Sequence, residues 1–356
     1  MKLKSKLFFV CLFYILSLSA SSQQADSLLR FIESHKSNSS LFLRVNDSVK
    51  SSLNPDKLLP LASTMKILVA IEFAKQASHN VIDINQKVSL SDLDKYYLPD
   101  TDGGAHSSWI NYEKETGKIS NDSVSMLDVA KGMMMFSSNA NTEFLMDLLG
   151  LENINRNYDL MGVKNYTPIY YLASSVCIYK APKNTSEKKF LKQLNSLSQQ
   201  QYIDATKLIH QQLKLNPSFK KTVDLSHLSV DAQRMWTERL PASTTRGYAR
   251  IMSILNNRLI YSERTYEILS KLIETLMQNP NNKKWLIHAG KKGGSTLSLL
   301  SEATYATLQN GDKVELAFIL DNLKPGEMRQ LQQWLNLFEY KILTDPAFRN
   351  QLSAIN

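Results

Sequence analysis

The chain has 356 residues, of which 43% are hydrophobic and 21% are charged. This composition excludes a disordered chain and is sufficient for one large domain or two small ones. The formal net charge of +9 suits ligands that carry a carboxylate, but no run of Lys and Arg typical of nucleic-acid binding is present. We therefore expect a globular protein that binds no nucleic acid.

The first twenty residues predict a secretory signal peptide. Lys2, Lys4 and Lys6 precede an apolar run at residues 7–16, and small residues follow as far as Ala20. A membrane anchor is the alternative, but the run is shorter than the roughly 20 apolar residues that a spanning helix needs. We expect cleavage near Ala20, a periplasmic or secreted domain over residues 21–356, and no transmembrane segment. Cys177, the one cysteine left, lies in an apolar stretch and is predicted to be a buried hydrophobe.

The N-terminal half predicts helices around one early strand. A short helix is expected at residues 26–35 and a strand at 40–45, before a buried helix that begins at Thr64. Residues 92–117, with paired glycines and several aromatic residues, read as a long ordered loop. Helical periodicity returns over residues 125–149 and is interrupted at Ser137-Ser138-Asn139.

The C-terminal half changes from helices to strands. Residues 183–238 read as an amphipathic helical insertion or lid, and Asn310-Gly311 is a strong hairpin signal between two strands. Strands at both chain ends predict one antiparallel sheet within a three-layer α/β (α+β) domain that carries an inserted all-helical subdomain. One further helix is expected to be capped by residues 243–245 and to end near 255, and another to be capped by Ser262 and to end near 277. Strands are expected at 285–288, 299–308 and 314–320, and a final helix follows Pro325-Gly326 and ends at 343.

Ser63 and Lys66 form the first candidate for chemistry. Residues three apart share a helix face, so the Lys66 amine can take the proton that makes the Ser63 hydroxyl nucleophilic. The pKa of Lys66 must then be lowered by burial or by a nearby cation, for which Lys292 is a candidate. The same four-residue pattern recurs at Ser186 and at Ser218, but in charged stretches. Only the Ser63 copy opens a densely apolar helix.

Three motifs in this order resemble those of the serine β-lactamases and penicillin-binding proteins. They are Ser63 to Lys66, Ser137-Ser138-Asn139 and Lys292-Gly293-Gly294. Residues 127–130, 139–142 and 243–246 make class A β-lactamases the most similar group. The resemblance implies the β-lactamase/transpeptidase-like fold and a serine acyl-enzyme.

The resemblance also implies a role for each motif residue. Ser63 would be the nucleophile, Lys66 its base, and Ser137 a proton relay to the leaving group. Asn139 would hold an amide of the substrate, and Lys292 would attract its carboxylate, with Lys291 as an alternative register. The oxyanion hole would combine the backbone N–H of Ser63 with that of Ser295, which follows Gly294.

Two departures from the family pattern narrow the expected activity. Gly293 replaces the usual threonine, which removes a hydroxyl that helps to grip a carboxylate. Residues 161–182 contain no Asp or Glu, whereas class A β-lactamases carry a deacylating glutamate in this loop. The loop instead contains an aromatic stretch at 166–171, which either walls the pocket or fills the core. His106 and Trp109 are candidate residues of the pocket rim.

We therefore expect a monomeric serine hydrolase of the β-lactamase or D,D-peptidase type that acts on an amide or ester in the cell envelope. Its substrate would be a β-lactam or a D-Ala-type peptide, and neither a metal nor a cofactor is expected, because the histidines are scattered without ligand spacing. The alternative is a binding protein for cell-wall fragments that kept the fold and lost turnover.

Overall fold

A computed structural model describes residues 18–180, 182, 185–223, 225, 228–324 and 326–355. The first 17 residues of the expected signal peptide lie outside this range, as does Pro325 before the final helix. Within these ranges, no helix is long and apolar enough to cross a membrane.

Five strands form one antiparallel sheet in the order β2-β1-β9-β8-β7, and two further pairs, β3 with β6 and β4 with β5, form small separate ladders. Both chain ends contribute to the large sheet, as the sequence predicts. The strands are β1 (Ser39–Val45), β2 (Ser48–Leu53), β3 (Leu59–Pro60), β4 (Lys87–Ser89), β5 (Ser123–Ser125), β6 (Ala242–Ser243), β7 (Leu286–Ser295), β8 (Leu300–Leu308) and β9 (Lys313–Leu320).

The three C-terminal strands lie where the periodicity places them, and Gly311 takes a positive φ of 91° in the hairpin between β8 and β9. Two details differ from expectation. Strand β2 and the short strands β3 to β6 were not predicted, and β7 runs on to Ser295 instead of ending at residue 288. The Lys292-Gly293-Gly294 motif therefore lies inside a strand rather than after one.

The helices surround the sheet and fill the middle of the chain. They are α1 (Leu18–Ser34), α2 (Lys66–Ser78), α3 (Leu90–Asp94), α4 (Ala105–Glu115), α5 (Met126–Lys131), α6 (Asn139–Leu149), α7 (Leu151–Leu160), α8 (Leu172–Cys177), α9 (Glu187–Asn195), α10 (Gln199–Leu215), α11 (Pro217–Thr222), α12 (Val230–Arg239), α13 (Thr245–Asn256), α14 (Glu263–Ile273), α15 (Glu327–Thr344) and α16 (Pro346–Ser353). Thr244 and Ser262 cap α13 and α14 with their side chains, as predicted.

The sheet is buried on both faces, so the domain has three layers. Along β1, Leu41 and Leu43 point into a core shared with α1, α15 and α16, while Phe42 between them points into the core that contains α2 and α13. Helix α2 is buried at every residue except Lys75 and Gln76. The predicted three-layer β-lactamase/transpeptidase-like architecture is confirmed.

Two hydrogen bonds join the ends of the middle helical segment beside β6, at a point that we call the neck. The Thr167 N–H donates to Ala242 O (2.8 Å), and the Ala242 N–H donates to Thr167 Oγ1 (2.8 Å). We call residues 168–241, which leave and return at this neck, the helical excursion. It contains α8 to α12.

The prediction of a long loop at residues 92–117 is wrong, because much of this segment is helical. Gly104 has a φ of 86° and serves as the residue before α4, and the Asp102 carboxylate accepts hydrogen bonds from the N–H groups of Gly104 (3.2 Å) and His106 (3.1 Å). The glycines that suggest a loop therefore begin a helix.

Candidate active site

Ser63 lies in a single 3₁₀ turn, Ala62–Met65, directly before α2. The α-helix thus begins at Lys66, two residues later than expected, and Ser63 is half-buried at its entrance. The turn is held from two sides. Leu61 N–H donates to Pro241 O (2.9 Å), and the Ser301 hydroxyl donates to Leu61 O (2.7 Å). Ala62 has a φ of 44°, so the backbone just before Ser63 is strained.

Strand β7 passes directly beside Ser63 because residue 294 has no side chain. A Cβ atom at Gly294 would lie 2.6 Å from the Ser63 nitrogen, closer than any side chain tolerates. Thr64 Oγ1 fixes this approach by donating to Lys292 O (3.3 Å). Ser295, the exposed last residue of β7, follows Gly294. The strand therefore brings Gly294, the residue next to Ser295, against the Ser63 backbone.

Lys66 is completely buried, and its Nζ donates hydrogen bonds to the Ser137 carbonyl (2.7 Å), the Ser137 hydroxyl (3.2 Å) and Asn139 Oδ1 (2.8 Å). Burial and then the positive charge of Lys292 hold the pKa of Lys66 well below its usual value, while the Asp102 carboxylate opposes them. Both influences favour the neutral amine, which is the form that can accept a proton.

The two neighbouring lysines of β7 point in opposite directions, which decides the register of the third motif. Lys292 Nζ donates to the Ser137 hydroxyl (3.1 Å), whereas Lys291 Nζ binds Glu339 on α15 (2.7 Å) across the sheet. Successive side chains of a strand alternate between its faces. Lys292 therefore faces the site and Lys291 does not.

Each residue of the second motif has a different position. Ser137 follows a π-helical turn, Gly132–Phe136, and takes the left-handed conformation with a φ of 71°, so that its hydroxyl lies between the Nζ atoms of Lys66 (3.2 Å) and Lys292 (3.1 Å). Ser138 is buried and caps α6 by accepting a hydrogen bond from the Asn141 N–H (3.2 Å). Asn139 returns to the site, where its amide oxygen accepts from Lys66.

His106 and Trp109 are buried in α4, so their prediction as residues of the pocket rim is wrong. His106 Nδ1 lies 2.9 Å from Ser138 Oγ, and Trp109 Nε1 donates to Glu113 (3.1 Å). Burial lowers the pKa of His106. These side chains support the second motif from behind.

The aromatic stretch at residues 166–171 fills the core more than it walls a pocket. Ile169 and Tyr170 are buried, and the Tyr170 hydroxyl donates to Arg239 O. Tyr166 stacks on Tyr158, with ring centroids 4.1 Å apart. Tyr171 stacks on His210 at 3.6 Å.

Glu143 is a buried acid that the sequence reasoning missed, although it lies one helical turn after Asn139 on the same face of α6. Its carboxylate accepts hydrogen bonds from the N–H groups of Ala173 (2.9 Å) and Ser174 (3.2 Å), from the Ser174 hydroxyl and from His210 Nδ1 (3.0 Å). Glu143 thus caps α8. With its oxygens occupied by four donors, this carboxylate is poorly suited to activate water.

His210 extends this polar cluster into the helical excursion. It comes from α10 and lies between the stacked rings of Tyr96 and Tyr171, with its Nε2 3.2 Å from Asp147 Oδ1. Burial alone would lower the pKa of His210, but the hydrogen bonds and charges of Asp147 and Glu143 outweigh it and raise the pKa. The excursion is therefore bonded to α6, the helix that carries Asn139.

Gly293 faces away from Ser63. A Cβ atom there would lie 2.6 Å from Glu302 Oε2 on the opposite face of β7. Burial and the Glu339 carboxylate raise the pKa of Glu302 to about 8. Within the described ranges, no group of three His, Cys, Asp or Glu side chains is placed to hold a metal.

The residues predicted from the three motifs therefore converge. Lys66, Ser137, Asn139 and Lys292 are linked by hydrogen bonds, and Gly294 contacts the Ser63 backbone, with Ser295 next to it. This fold and this set of side chains define the class of the serine β-lactamases and penicillin-binding proteins.

The chain belongs to the beta-lactamase enzyme family, whose model matches residues 23–330. No curated protein sequence is significantly similar to it. Among solved structures, it resembles a class A beta-lactamase from Bacteroides cellulosilyticus at 14% identity and a TM-score of 0.54, covering 93% of this chain and 98% of that one. A beta-lactamase from Chitinophaga pinensis is similar at 14% identity, a TM-score of 0.54 and coverages of 92% and 99%.

A third similar structure is PBP-A, at 16% identity and a TM-score of 0.50, which covers 91% of this chain and 96% of its own. A point mutant of PBP-A, described as an acyl-enzyme complex with penicillin G, matches at 15% identity with a TM-score of 0.50. These likenesses are at the level of the fold.

Proposed function

We propose that this protein is an exported serine hydrolase that forms an acyl-enzyme at Ser63 with an amide or ester, of the β-lactam or D-Ala peptide type, and releases the acyl group slowly. The observation that carries this proposal is the buried Lys66 amine, which stands against the Ser137 hydroxyl opposite Lys292. A neutral amine in this place can serve as the base for Ser63.

Acylation would use the converging residues in turn. Lys66 takes the Ser63 proton as the serine oxygen bonds to the carbonyl carbon, and the N–H groups of Ser63 and Ser295 stabilise the oxyanion. The bond to the leaving nitrogen or oxygen then breaks. Ser137, placed between the two ammonium groups, passes the proton to the departing atom.

Slow release of the acyl group follows from the two acids that lie beside these residues. Asp102 accepts from the N–H groups of Gly104, His106 and Asn139, the last at 3.5 Å, and Glu143 accepts from four donors at α8. Oxygens that already accept several hydrogen bonds have few lone pairs left to take a proton from water. Rapid attack by water on the acyl-enzyme is therefore not expected.

The binding protein without turnover remains the alternative. The buried lysine disfavours it, because burying an amine among polar partners costs stability that a purely binding site does not need. A protein of this kind would hold cell-wall fragments without a covalent bond.

Incubation with benzylpenicillin or p-nitrophenyl acetate, followed by intact-mass and peptide mass spectrometry, tests the proposal. We expect an adduct on Ser63 that is lost in Ser63→Ala. Ser186→Ala is the matched control, since Ser186 belongs to the same Ser-x-x-Lys pattern but is exposed before α9.

The lifetime of the adduct tests the second half of the proposal. An acyl group that persists for minutes or longer supports slow release, while release within seconds would require a base other than Asp102 and Glu143. Folded protein that no acylating probe labels would support the binding protein instead.

A further inference from the structure

Beyond residue 20, the whole net charge of the chain lies in the helical excursion. Residues 168–241 contain eleven Lys and Arg and five Asp and Glu, which gives a formal net charge of +6. The remaining segments, residues 21–167 and 242–356, together contain 28 residues of each sign and are neutral. A net charge that is confined to one segment attracts ligands of the opposite sign to that segment. We therefore expect a ligand of the excursion to carry negative charge.

The excursion also contains an apolar groove, which is separate from the residues around Ser63. The groove has a volume of about 480 Å³, and its lining includes Phe190 of α9, Ala205 and Leu208 of α10 and Phe219 of α11. Leu208 is 63% exposed, so this apolar surface is open to solvent. Sites for small molecules are mostly apolar and have volumes of roughly 300–1,000 Å³. The groove therefore has the size and the lining of a small-molecule site.

Two packed apolar clusters form the sides of the groove. Ile178 and Phe190 pack in one of them, Cys177 and Phe219 pack in the other, and Ile209 packs against both. All five residues line the groove. Because the clusters hold these side chains in place, a ligand can bind without first ordering the site.

The helices beside the groove are fixed at their ends. Ser198 and Gln201 form a capping box at the start of α10. Asn216 caps α11 with its side chain, and Lys220 joins α11 to Asp94 of α3 through an ion pair of 2.9 Å. The groove is therefore part of a folded framework and not a gap in a loosely attached segment.

A positive charge stands at the edge of the apolar lining. Lys180 lines the groove and is exposed to solvent. Burial and the Glu143 carboxylate raise the pKa of the Cys177 thiol to about 12, and the positive charge of Lys180 opposes them, so the Lys180 ammonium acts on the buried side of the groove. An ammonium group beside an apolar surface matches a ligand that carries a carboxylate at the end of a hydrocarbon chain.

We propose that this groove binds a free long-chain fatty acid, with its hydrocarbon chain between Phe190 and Phe219 and its carboxylate at Lys180. The apolar lining does not suit a ligand that is charged along its whole length, and the volume suits a single chain. This site goes beyond the proposed acyl-enzyme function, and binding at it makes and breaks no covalent bond.

Isothermal titration calorimetry of the full chain with dodecanoate, below its micelle concentration, tests this proposal. We expect one binding site per chain. Octanoate has four methylenes fewer and should bind at least about 15-fold more weakly, because each buried methylene strengthens binding about two- to fourfold. Dodecyltrimethylammonium has the same chain length and a cationic head group, and it should bind about fivefold more weakly than dodecanoate because Lys180 repels it.

Two variants test the chain and the head group separately. Ala205→Phe places a ring inside the groove and should weaken the binding of dodecanoate at least about tenfold. Lys180→Glu leaves the groove open and should bring the affinities for dodecanoate and dodecyltrimethylammonium within about twofold of each other. The matched controls are Gln211→Phe on α10 and Lys192→Glu on α9, since both residues are exposed and lie outside the groove lining.

The outcomes decide the fatty-acid site alone. Equal affinities for octanoate and dodecanoate, a head-group preference that survives in Lys180→Glu, or full binding by folded Ala205→Phe overturns the site. Binding to phosphatidylglycerol vesicles without binding of monomeric dodecanoate overturns it in favour of a membrane-contact surface. If Ala205→Phe does not fold, Lys180→Glu still decides, because Lys180 is exposed. Acylation of Ser63 is measured separately and depends on none of these results.

Discussion

The same four-residue pattern stands at the entrance of α2 and twice in the helical excursion, yet only one copy is placed for chemistry. Lys66 is completely buried and bonded to Ser137 and Asn139, whereas Lys189 and Lys221 are exposed to solvent. Water holds an exposed amine in its charged form, and burial beside another cation favours the neutral form. The environment, and not the spacing alone, makes a lysine a base.

The largest expected effect compares Lys66→Met with Lys221→Met. Loss of a general base typically slows a reaction by a factor on the order of 10³, so acylation of Ser63 by p-nitrophenyl acetate should fall about a thousandfold in Lys66→Met. Lys221→Met should change stability by less than about 0.5 kcal/mol and leave the rate as it was. Equal acylation rates in the two variants, by intact mass, would remove Lys66 from the reaction.

The next effect concerns the link between the excursion and α6. His210→Gln leaves the buried carboxylate of Glu143 without its cation, whereas the partly exposed Asp147 keeps Lys214 (2.8 Å), and should lower the free energy of unfolding by about 3 kcal/mol. The pKa of His210 is raised in the folded state. The stabilisation that its charged form provides is therefore complete at pH values below the pKa of the unfolded state, and it is lost as the pH rises through the pKa of the folded state. Urea denaturation should therefore show a larger loss at pH 6 than at pH 9. The exposed His79→Gln serves as control, and a loss that does not depend on pH would argue against a charged His210.

The charges around Lys66 should shift its titration in opposite directions. Acylation should rise with pH as Lys66 becomes neutral. Lys292→Met removes a repelling cation and should move the midpoint of that rise to higher pH, while Asp102→Asn removes an attracting charge and should move it to lower pH. The measurement is the acylation rate against pH, and midpoints that move together would mean that another group controls the profile.

The last effect concerns the opposite face of β7. Glu302 has a pKa raised to about 8, so the folded protein retains a proton that the unfolded chain loses above pH 4.5, and stability falls as the pH rises between these values. Glu302→Gln removes this penalty. Its melting temperature should exceed that of the unaltered protein by about 6 °C at pH 8 and by about 1 °C at pH 5. An equal gain at both pH values would indicate a change in packing instead.

Periodicity and turn chemistry predict much of the fold. The strands β1, β8 and β9, the Asn310-Gly311 hairpin and the caps at Thr244 and Ser262 depend on neighbours in sequence, and all were predicted. The helix α4 was missed because Gly103 and Gly104 suggest a loop, whereas Asp102 uses them to begin a helix.

Only those residues of the candidate site that belong to the three sequence motifs could be predicted. Order along the chain indicated Ser63, Lys66, Ser137, Asn139 and Lys292, but left Lys291 open, because only the sheet decides which lysine faces the site. Contacts between distant segments leave no local pattern, so Asp102 and Glu143 could not be assigned. The position of Glu143 one helical turn after Asn139 was the one available signal for it.

The neck at Thr167 and Ala242 also bears on how such a protein can diverge. Because the chain leaves and re-enters the framework at nearly one point, the length of the exposed parts between these residues can change without moving any strand, and the entropy of closing a longer loop rises only slowly with its length. The contacts that the excursion makes with the framework, such as Pro241 O with the Leu61 N–H and His210 with Glu143, confine such changes to its exposed parts.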